Sequence, residues 1–280
     1  MQIRSLIVAV SVFGIVGCST VPVDRAVGVS AAGKAYVDTL KKVNELALDT
    51  SIEFTANLLP ALPRTESTLT DQTEAIRERS KLIGSANEYL DNLASYFSEL
   101  EALSKGDQSE ATAKAVGQLA DSLKAEPLEL SLSEDKKKAL TGLAGFVSKQ
   151  FHAAAVEKAL IRDADVVSQA LAISEKMLDE QIRWISLRET ADRKKKYLET
   201  IQKPFVAGGP LGSEWKKAWS AEVRTPPVVA VLEEAKTASA EMQKAWINVL
   251  RGQYSYSEML AALKNVRAGI DDVTALRNAK

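Results

Sequence analysis

The stretch that decides the fold is residues 167–185, VSQALAISEKMLDEQIRWI, in which large apolar residues recur at intervals of three or four. That spacing places them on one face of an α-helix. The surrounding residues 146–203 contain neither Gly nor Pro, so the helix is predicted to be long. An alternation of period two, the pattern of a half-buried strand, is almost absent from the chain. We therefore expect an all-α protein.

Outward from this stretch, the same spacing begins near residue 31 and continues almost to the C-terminus. The predicted helices, most of them separated by Pro or Gly, cover about 31–59, 70–104, 108–124, 133–162, 165–203, 213–222, 227–251 and 256–278. Asp163 and Asp165 mark the predicted break before the fifth of these helices, which would be about 58 Å long. The predicted fold is an elongated multi-helix bundle with long antiparallel helices and a short Trp-bearing helix.

The composition excludes several classes of protein. Of the 280 residues, 46% are hydrophobic and 26% are charged, which is typical of a globular chain and not of a disordered one. The formal net charge of −1 gives no basic excess for binding nucleic acid through bulk charge. A single Cys excludes an intrachain disulfide, and a single His leaves little for metal or triad chemistry. We expect no cofactor, no metal site and no nucleic-acid partner.

The first eighteen residues carry the most specific motif. Arg4 precedes an apolar run of twelve residues from Leu6 to Gly17, which is too short to cross about 30 Å of hydrocarbon as a helix. The run ends in Ile15-Val16-Gly17-Cys18, and Cys18 is the only cysteine of the chain. This arrangement resembles the lipobox of bacterial lipoproteins. The alternatives are an uncleaved N-terminal anchor or an ordinary signal peptide with an accidental Cys.

The resemblance implies a lipid anchor and a division of the chain. Residues 1–17 would be a removed signal peptide, the Cys18 thiol would carry lipid, residues 18–30 would be a flexible tether, and residues 31–280 would be the helical bundle domain. Ser19 follows Cys18 where Asp would signal retention in the inner membrane, which resembles the Gram-negative pattern for outer-membrane delivery. The implied location is a cell membrane and, in a Gram-negative host, the outer membrane facing the periplasm.

Motifs of common enzyme classes are missing. The sole histidine, His152, stands beside three alanines and is interpreted as a residue on a helix face; no HExxH or GxSxG motif occurs. The loop from Gly208 to Gly212 lacks the lysine spacing of a phosphate-binding loop, so it is interpreted as a helix connection, with a binding loop as the alternative. An enzyme that works through scattered carboxylates stays open as the least favoured interpretation.

Aromatic residues near the C-terminal end form one candidate binding surface. Trp215 and Trp219 are four residues apart and therefore share one helix face. The alternative is that the short helix buries these tryptophans against the bundle as a lid. The full candidate surface consists of Phe205, Trp215, Trp219, Trp246, Tyr254 and Tyr256.

Basic residues form a second candidate site, for contact with anionic lipid headgroups or an acidic partner. The alternative is a solvated helix face. The candidate residues are Arg188, Arg193, Lys194, Lys195 and Lys196.

The leading functional hypothesis is a non-enzymatic interaction or structural module of the cell envelope. Its expected partners are the membrane, through the lipid at Cys18, and another envelope protein. The alternative is a bundle that binds or senses a small ligand, in a cavity between helices near Trp215 and Trp246.

Overall fold

The computed structural model describes residues 21–106, 109–124, 154–224 and 226–251, together with residues 257, 264 and 268. Among these residues there are helices and no strand, so the predicted all-α bundle is confirmed. The long elements are α1 (Val21–Leu58), α2 (Glu66–Lys105), α3 (Ser109–Ser122), α4 (Ala154–Lys196), α5 (Ser213–Arg224) and α6 (Val228–Leu250). The proposed signal peptide, Cys18, His152, most of the helix predicted at 133–162 and most of that at 256–278 lie outside the described residues.

The first helix begins earlier than the sequence pattern suggested. α1 starts at Val21, and Ala26, Val29 and Ser30 are completely buried. Residues 21–30 are therefore helical and not a flexible tether, and those from Ala26 on pack in the bundle. The buried face at the start of α1 consists of Ala26, Val29, Ser30 and Gly33, a spacing that is helical but lacks a large apolar side chain.

The predicted break at Asp163 and Asp165 is wrong, because α4 runs through both residues without interruption for 43 residues. Asp163 is completely buried, and the neighbouring Arg162 holds its carboxylate with Nε and a terminal nitrogen at 2.5 and 2.8 Å. Burial raises the pKa of Asp163, although the guanidinium of Arg162 opposes the rise. The aspartate is thus paired inside a helix and does not cap one.

Helices α1 and α2 form an antiparallel pair. Lys34 of α1 contacts Glu101 near the end of α2 at 2.5 Å, and Lys41 contacts the earlier residue Asp91 at 2.7 Å. Helix α3 then folds back against α2 and α4, where the Thr112 hydroxyl donates to the Glu99 carbonyl at 3.3 Å. Helix α2 is therefore antiparallel to α1, and α3 is antiparallel to α2.

Helices α4 and α6 form the second antiparallel pair. Lys236 of α6 contacts Asp179 at 2.7 Å, and the later residue Gln243 donates to the earlier residue Glu175 at 3.0 Å. Helix α6 also packs against α1, which closes the bundle around a single core.

The directions of the helices show which residues share an end of the bundle. Helices α1 and α4 run in parallel. Asn44 accepts from Gln181, and Thr55, further along α1, accepts from Arg188, further along α4. We call the end that contains Val21, Lys105, Ala154 and Leu250 the N-terminal end. We call the end that contains Leu58, Glu66, Lys196 and Val228 the distal end.

Buried polar contacts join the four long helices near the middle of the bundle. Tyr36 of α1 bonds to Ser239 of α6 at 2.6 Å, and Tyr89 of α2 bonds to Ser174 of α4. Burial raises the pKa of Tyr36 to about 12, although hydrogen bonds to Ser174 and Ser239 oppose the rise. These four side chains, one from each helix, are all buried, and we call them the tyrosine–serine layer.

A second polar contact set lies next to this layer. The Asn44 amide donates to Asn87 of α2 at 2.7 Å and accepts from the Gln181 amide of α4 at 2.7 Å. Asn44 and Gln181 are buried. We call these three residues the amide layer. Because buried polar groups are costly when unpaired, the two layers favour one register of the helices over others.

Gly33 allows the closest approach between α1 and α2. A Cβ atom added at Gly33 would overlap the ring of Phe97, which is completely buried in the core. The position therefore needs glycine for space, even though glycine in a helix interior is unfavourable by itself.

We expect the substitution Gly33→Ala to lower the free energy of unfolding by about 1–3 kcal/mol, because the added methyl overpacks the core. Gly84 of α2 is the matched control, since a Cβ added there meets nothing within 4 Å. Gly84→Ala should instead raise stability by about 0.5–1 kcal/mol. Urea unfolding followed by circular dichroism measures both; equal effects of the two substitutions would contradict the close approach.

Glu101 of α2 contacts Lys34 of α1 and Lys105 of its own helix, and this predicts a pH dependence. Its carboxylate contacts Lys105 and Lys34, each at 2.5 Å, and these contacts lower its pKa from the ordinary 4.5 to about 2. Because the folded-state pKa is depressed, the contribution of Glu101 to stability is present above about 4.5 and lost as the pH falls towards 2.

Glu101→Gln removes this titrating group, so we expect the unfolding free energy of the variant to depend less steeply on pH between about 4.5 and 2 than that of the wild type. Urea midpoints measured across that interval test the expectation. Parallel curves for the two proteins would contradict it.

Candidate functional site

The distal end carries a segment that is almost entirely outside the core. Residues 190–224, all of them described, comprise the last turns of α4, a π-helical turn (Tyr197–Gln202), a short helical turn (Lys203–Val206), a loop and α5. Of these residues only Ile201 is buried, whereas α6 buries eleven residues along its length. We call residues 190–224 the distal hairpin. Its side chains are available for contact with something other than the bundle.

Proline and glycine shape the turn of this hairpin. Pro204 has no N–H with which to continue the helical hydrogen bonds, and in the preceding turn the Lys203 N–H donates to Leu198, five residues earlier. Gly208 then adopts φ 72°, a left-handed conformation that favours glycine. The chain thereby reverses, and α5 packs back along the π-helical turn.

Three aromatic rings stack along the hairpin. The centroids of Phe205 and Trp215 are 5.8 Å apart with an interplanar angle of 22°, and those of Trp215 and Trp219 are 6.3 Å apart with an angle of 9°. The Trp215 indole N–H donates to the Ile201 carbonyl at 3.0 Å, which fixes the stack to the π-helical turn. Phe205 is 60% exposed and Trp219 is 48% exposed. We call these three residues the aromatic stack.

Trp246 does not belong to this surface. It is completely buried, lies edge-on to Tyr96 and Phe97 at 6.2 and 6.3 Å, and donates to Ser168 at 3.0 Å. Along α6 it lies about 27 Å from Val228 at the distal end. Trp246 is therefore removed from the predicted six-residue aromatic surface, of which the aromatic stack remains. The other two predicted residues, Tyr254 and Tyr256, lie outside the described residues.

The residues of the predicted basic site have different surroundings. Arg193 contacts Glu222 at 2.6 Å and ties α4 to α5, and Arg188 donates to the Thr55 hydroxyl of α1 at 3.4 Å. Lys194, Lys195 and Lys196 are exposed. The distal hairpin as a whole contains eight basic residues and four acidic ones, although the net charge of the chain is −1. Positive charge therefore accompanies the aromatic stack at the same end of the molecule.

Exposed apolar side chains gather at that end too. Among the described residues, ten large apolar side chains are exposed, and all except Ile161 lie toward the distal end. Single exposed apolar residues are ordinary, but a concentration of them marks an interaction surface. The nine are Ile52, Leu58, Leu69, Leu187, Tyr197, Phe205, Val206, Trp219 and Val223.

Glu189 closes the base of the distal hairpin, a role that sequence reasoning missed. Its buried carboxylate accepts from the backbone N–H groups of Val228 and Val229 at 2.5 and 2.8 Å. Helix α6 begins after Pro227, which has no side-chain cap of its own. A carboxylate from α4 thus satisfies the start of α6. The sequence offers one indirect signal: Pro226 and Pro227 precede α6, and neither has a side chain that could cap the helix.

The geometry that would favour a carboxylate enzyme is not present among the described residues. The two buried acids there, Asp163 and Glu189, lie on the same helix about 39 Å apart and do not face each other. No group of three His, Cys, Asp or Glu residues in that part of the chain could hold a metal ion. None of the described helices is long and apolar enough to cross a membrane.

The cavity expected for a ligand-binding bundle near Trp215 and Trp246 cannot be one site, because the two tryptophans lie far apart. A cavity of about 390 Å³ lies instead between α3 and α4 toward the N-terminal end, and Trp246 does not line it. Its lining residues are Glu110, Ala155, Lys158, Ala159 and Arg162.

Comparison with protein-family models, with curated proteins and with solved structures finds no match to this chain.

Glu189→Ala should lower the free energy of unfolding by about 1–3 kcal/mol, because two backbone N–H groups at the start of α6 lose their acceptor. Glu74→Ala is the control, since it removes an exposed pair with Arg77 and should cost less than about 0.5 kcal/mol. Urea unfolding compares the two variants. A Glu189 variant as stable as the Glu74 variant would contradict the cap.

Proposed function

We propose that this protein is a lipid-anchored, non-enzymatic interaction module of the bacterial cell envelope. The lipid would be attached at Cys18, and the bundle would present the distal hairpin to a partner. The observation that carries the proposal is that the helix that follows the lipobox-like motif in the sequence begins at one end of the bundle, whereas the exposed aromatic and basic residues lie at the other.

The position of α1 supports the first half of the proposal. Cys18 lies three residues before Val21, so the link between the lipid and the N-terminal end can extend over about 10 Å. The anchor would thus be close to the start of the bundle, with no long tether between them.

The length of α1 supports the second half. With 38 residues it is about 57 Å long, and it runs from the N-terminal end to the distal end. A lipid at Cys18 would hold the distal hairpin at a comparable distance along the bundle axis. Anchoring restricts the protein to a surface and raises its effective concentration toward partners there.

The partner in this proposal is another component of the envelope. The hairpin contributes almost nothing to the core, yet it carries the aromatic stack and most of the exposed apolar side chains of its end. In a Gram-negative host, Ser19 favours the outer membrane as the site of the anchor, with the bundle in the periplasm.

We expect Cys18→Ala to abolish metabolic labelling with a radioactive or clickable palmitate and to reduce the fraction of protein that sediments with membranes, because the only thiol of the chain is lost. Ser19→Ala is the matched control and should keep both the label and the membrane fraction. Labelling that persists in the Cys18 variant would exclude a thioether-linked lipid anchor.

A further inference from the structure

We propose that the distal hairpin docks on a second lipid surface rich in anionic phospholipid, so that a chain anchored in one bilayer holds another bilayer at its distal end. The anchored arrangement rests on the proposed function. The docking itself is argued from the shape, the exposed side chains and the charge of the hairpin.

Helix α5 has an apolar face that is only partly covered, since Trp215 is half-buried against the first arm of the hairpin whereas Trp219 and Val223 are exposed. Trp215, Trp219 and Val223 are spaced by four residues and therefore form one row along the helix. None of the twelve residues of α5, all of which the structure describes, is buried, and Val223 is 66% exposed. A short helix with a Trp-containing apolar face and lysines beside it has the composition of helices that lie in the membrane interface.

The turn of the hairpin adds an apolar point beside this face. Phe205 and Val206 are 60% and 74% exposed, and the residues from Ala207 to Pro210 that follow are exposed as well. An apolar point that projects in this way needs a partner that surrounds it. The fluid headgroup region of a bilayer can do so, whereas a folded protein would need a matching pocket.

Charge selects the kind of lipid. Lysines border the apolar residues on both arms of the hairpin, and of its four acidic residues Glu222 is paired with Arg193 and Glu214 with Lys217. Eight basic residues against these four leave the hairpin with a positive charge. Basic residues at a bilayer surface are attracted to anionic headgroups and are screened by salt. The exposed lysines concerned are Lys194, Lys195, Lys196, Lys203 and Lys216.

The distribution of exposed residues favours a second surface over the bilayer that carries the anchor. To reach its own bilayer, the bundle would lie flat and place its flank against the lipid. Among the described residues, Ile161 is the one large exposed apolar side chain toward the N-terminal end. The other exposed apolar side chains lie toward the distal end, and α1 extends about 57 Å to that end. This distribution favours docking through the end of the bundle.

The test is vesicle tethering by the lipidated protein purified from membranes. The protein is reconstituted in dense, sucrose-loaded donor vesicles of phosphatidylcholine and mixed with light fluorescent acceptors. Acceptors of phosphatidylcholine with about 30% phosphatidylglycerol are compared with acceptors of phosphatidylcholine alone. We expect about tenfold more anionic than neutral acceptor in the donor pellet, and loss of that excess at high salt.

Two variants and their matched controls locate the contact. Lys194, Lys195 and Lys196 changed together to Gln should reduce recovery of anionic acceptors at least about fivefold, and so should Trp219→Ala with Val206→Ala. The controls are Ile161→Ala and the combined change of Lys42, Lys114 and Lys158 to Gln, at exposed positions toward the N-terminal end or on the flank. Both controls should tether acceptors as well as the wild type does. Circular dichroism confirms that all variants fold.

Opposite outcomes separate the two proposals. Equal recovery of neutral and anionic acceptors, or distal variants that tether like their controls, would overturn docking on anionic lipid while leaving the anchor intact. Neutral acceptors that display an acidic peptide are a third arm of the test. If only these acceptors are recovered, docking on anionic lipid is overturned and the hairpin is assigned to a protein partner. Failure of the wild-type chain to stay with the donor vesicles would instead contradict the anchor at Cys18.

Discussion

The structure depends on the buried hydrogen bonds that fix the register of four long helices. In the tyrosine–serine layer each helix contributes one side chain, and Tyr36 and Ser239 meet across 203 residues of chain. Sliding one helix by a turn would separate these partners, and each buried hydroxyl left unpaired costs about 1–3 kcal/mol. Apolar contacts alone discriminate less sharply between registers, because one leucine can replace another. The polar layers therefore determine which parts of α4 lie inside the bundle and which extend to its end.

The distal hairpin follows from that register. Once α4 is fixed against α1 and α6, Glu189 reaches the start of α6 and the residues after it lie past the last strong contact with the core. Pro204 and Gly208 then reverse the chain, and α5 packs against the π-helical turn and the end of α4 instead of against the core. The apolar face of α5 is therefore covered at Trp215 but left exposed at Trp219 and Val223. The candidate functional surface is thus a consequence of how the bundle ends.

Sequence reasoning found part of this surface and misplaced the rest. The spacing of Trp215 and Trp219 correctly placed both on one helix face. Trp246 was assigned to the same surface because it falls in the same part of the chain, although its spacing from Met242 and Val249 places it on the apolar face of α6 that is buried in the core. Glu189 was missed because its partners are backbone groups 39 and 40 residues later, which no local pattern reveals.

The sequence by itself determined the all-α class, the great length of the helices and the resemblance to a lipobox at Cys18, because periodicity and motifs are local properties of the chain. The tertiary structure decided which apolar face is covered. Val167 and Leu171 are completely buried, whereas Leu187, on the same helix, is 82% exposed. A helical repeat defines a face, but whether that face is buried depends on partners from distant segments, and beyond Glu189 those partners are few.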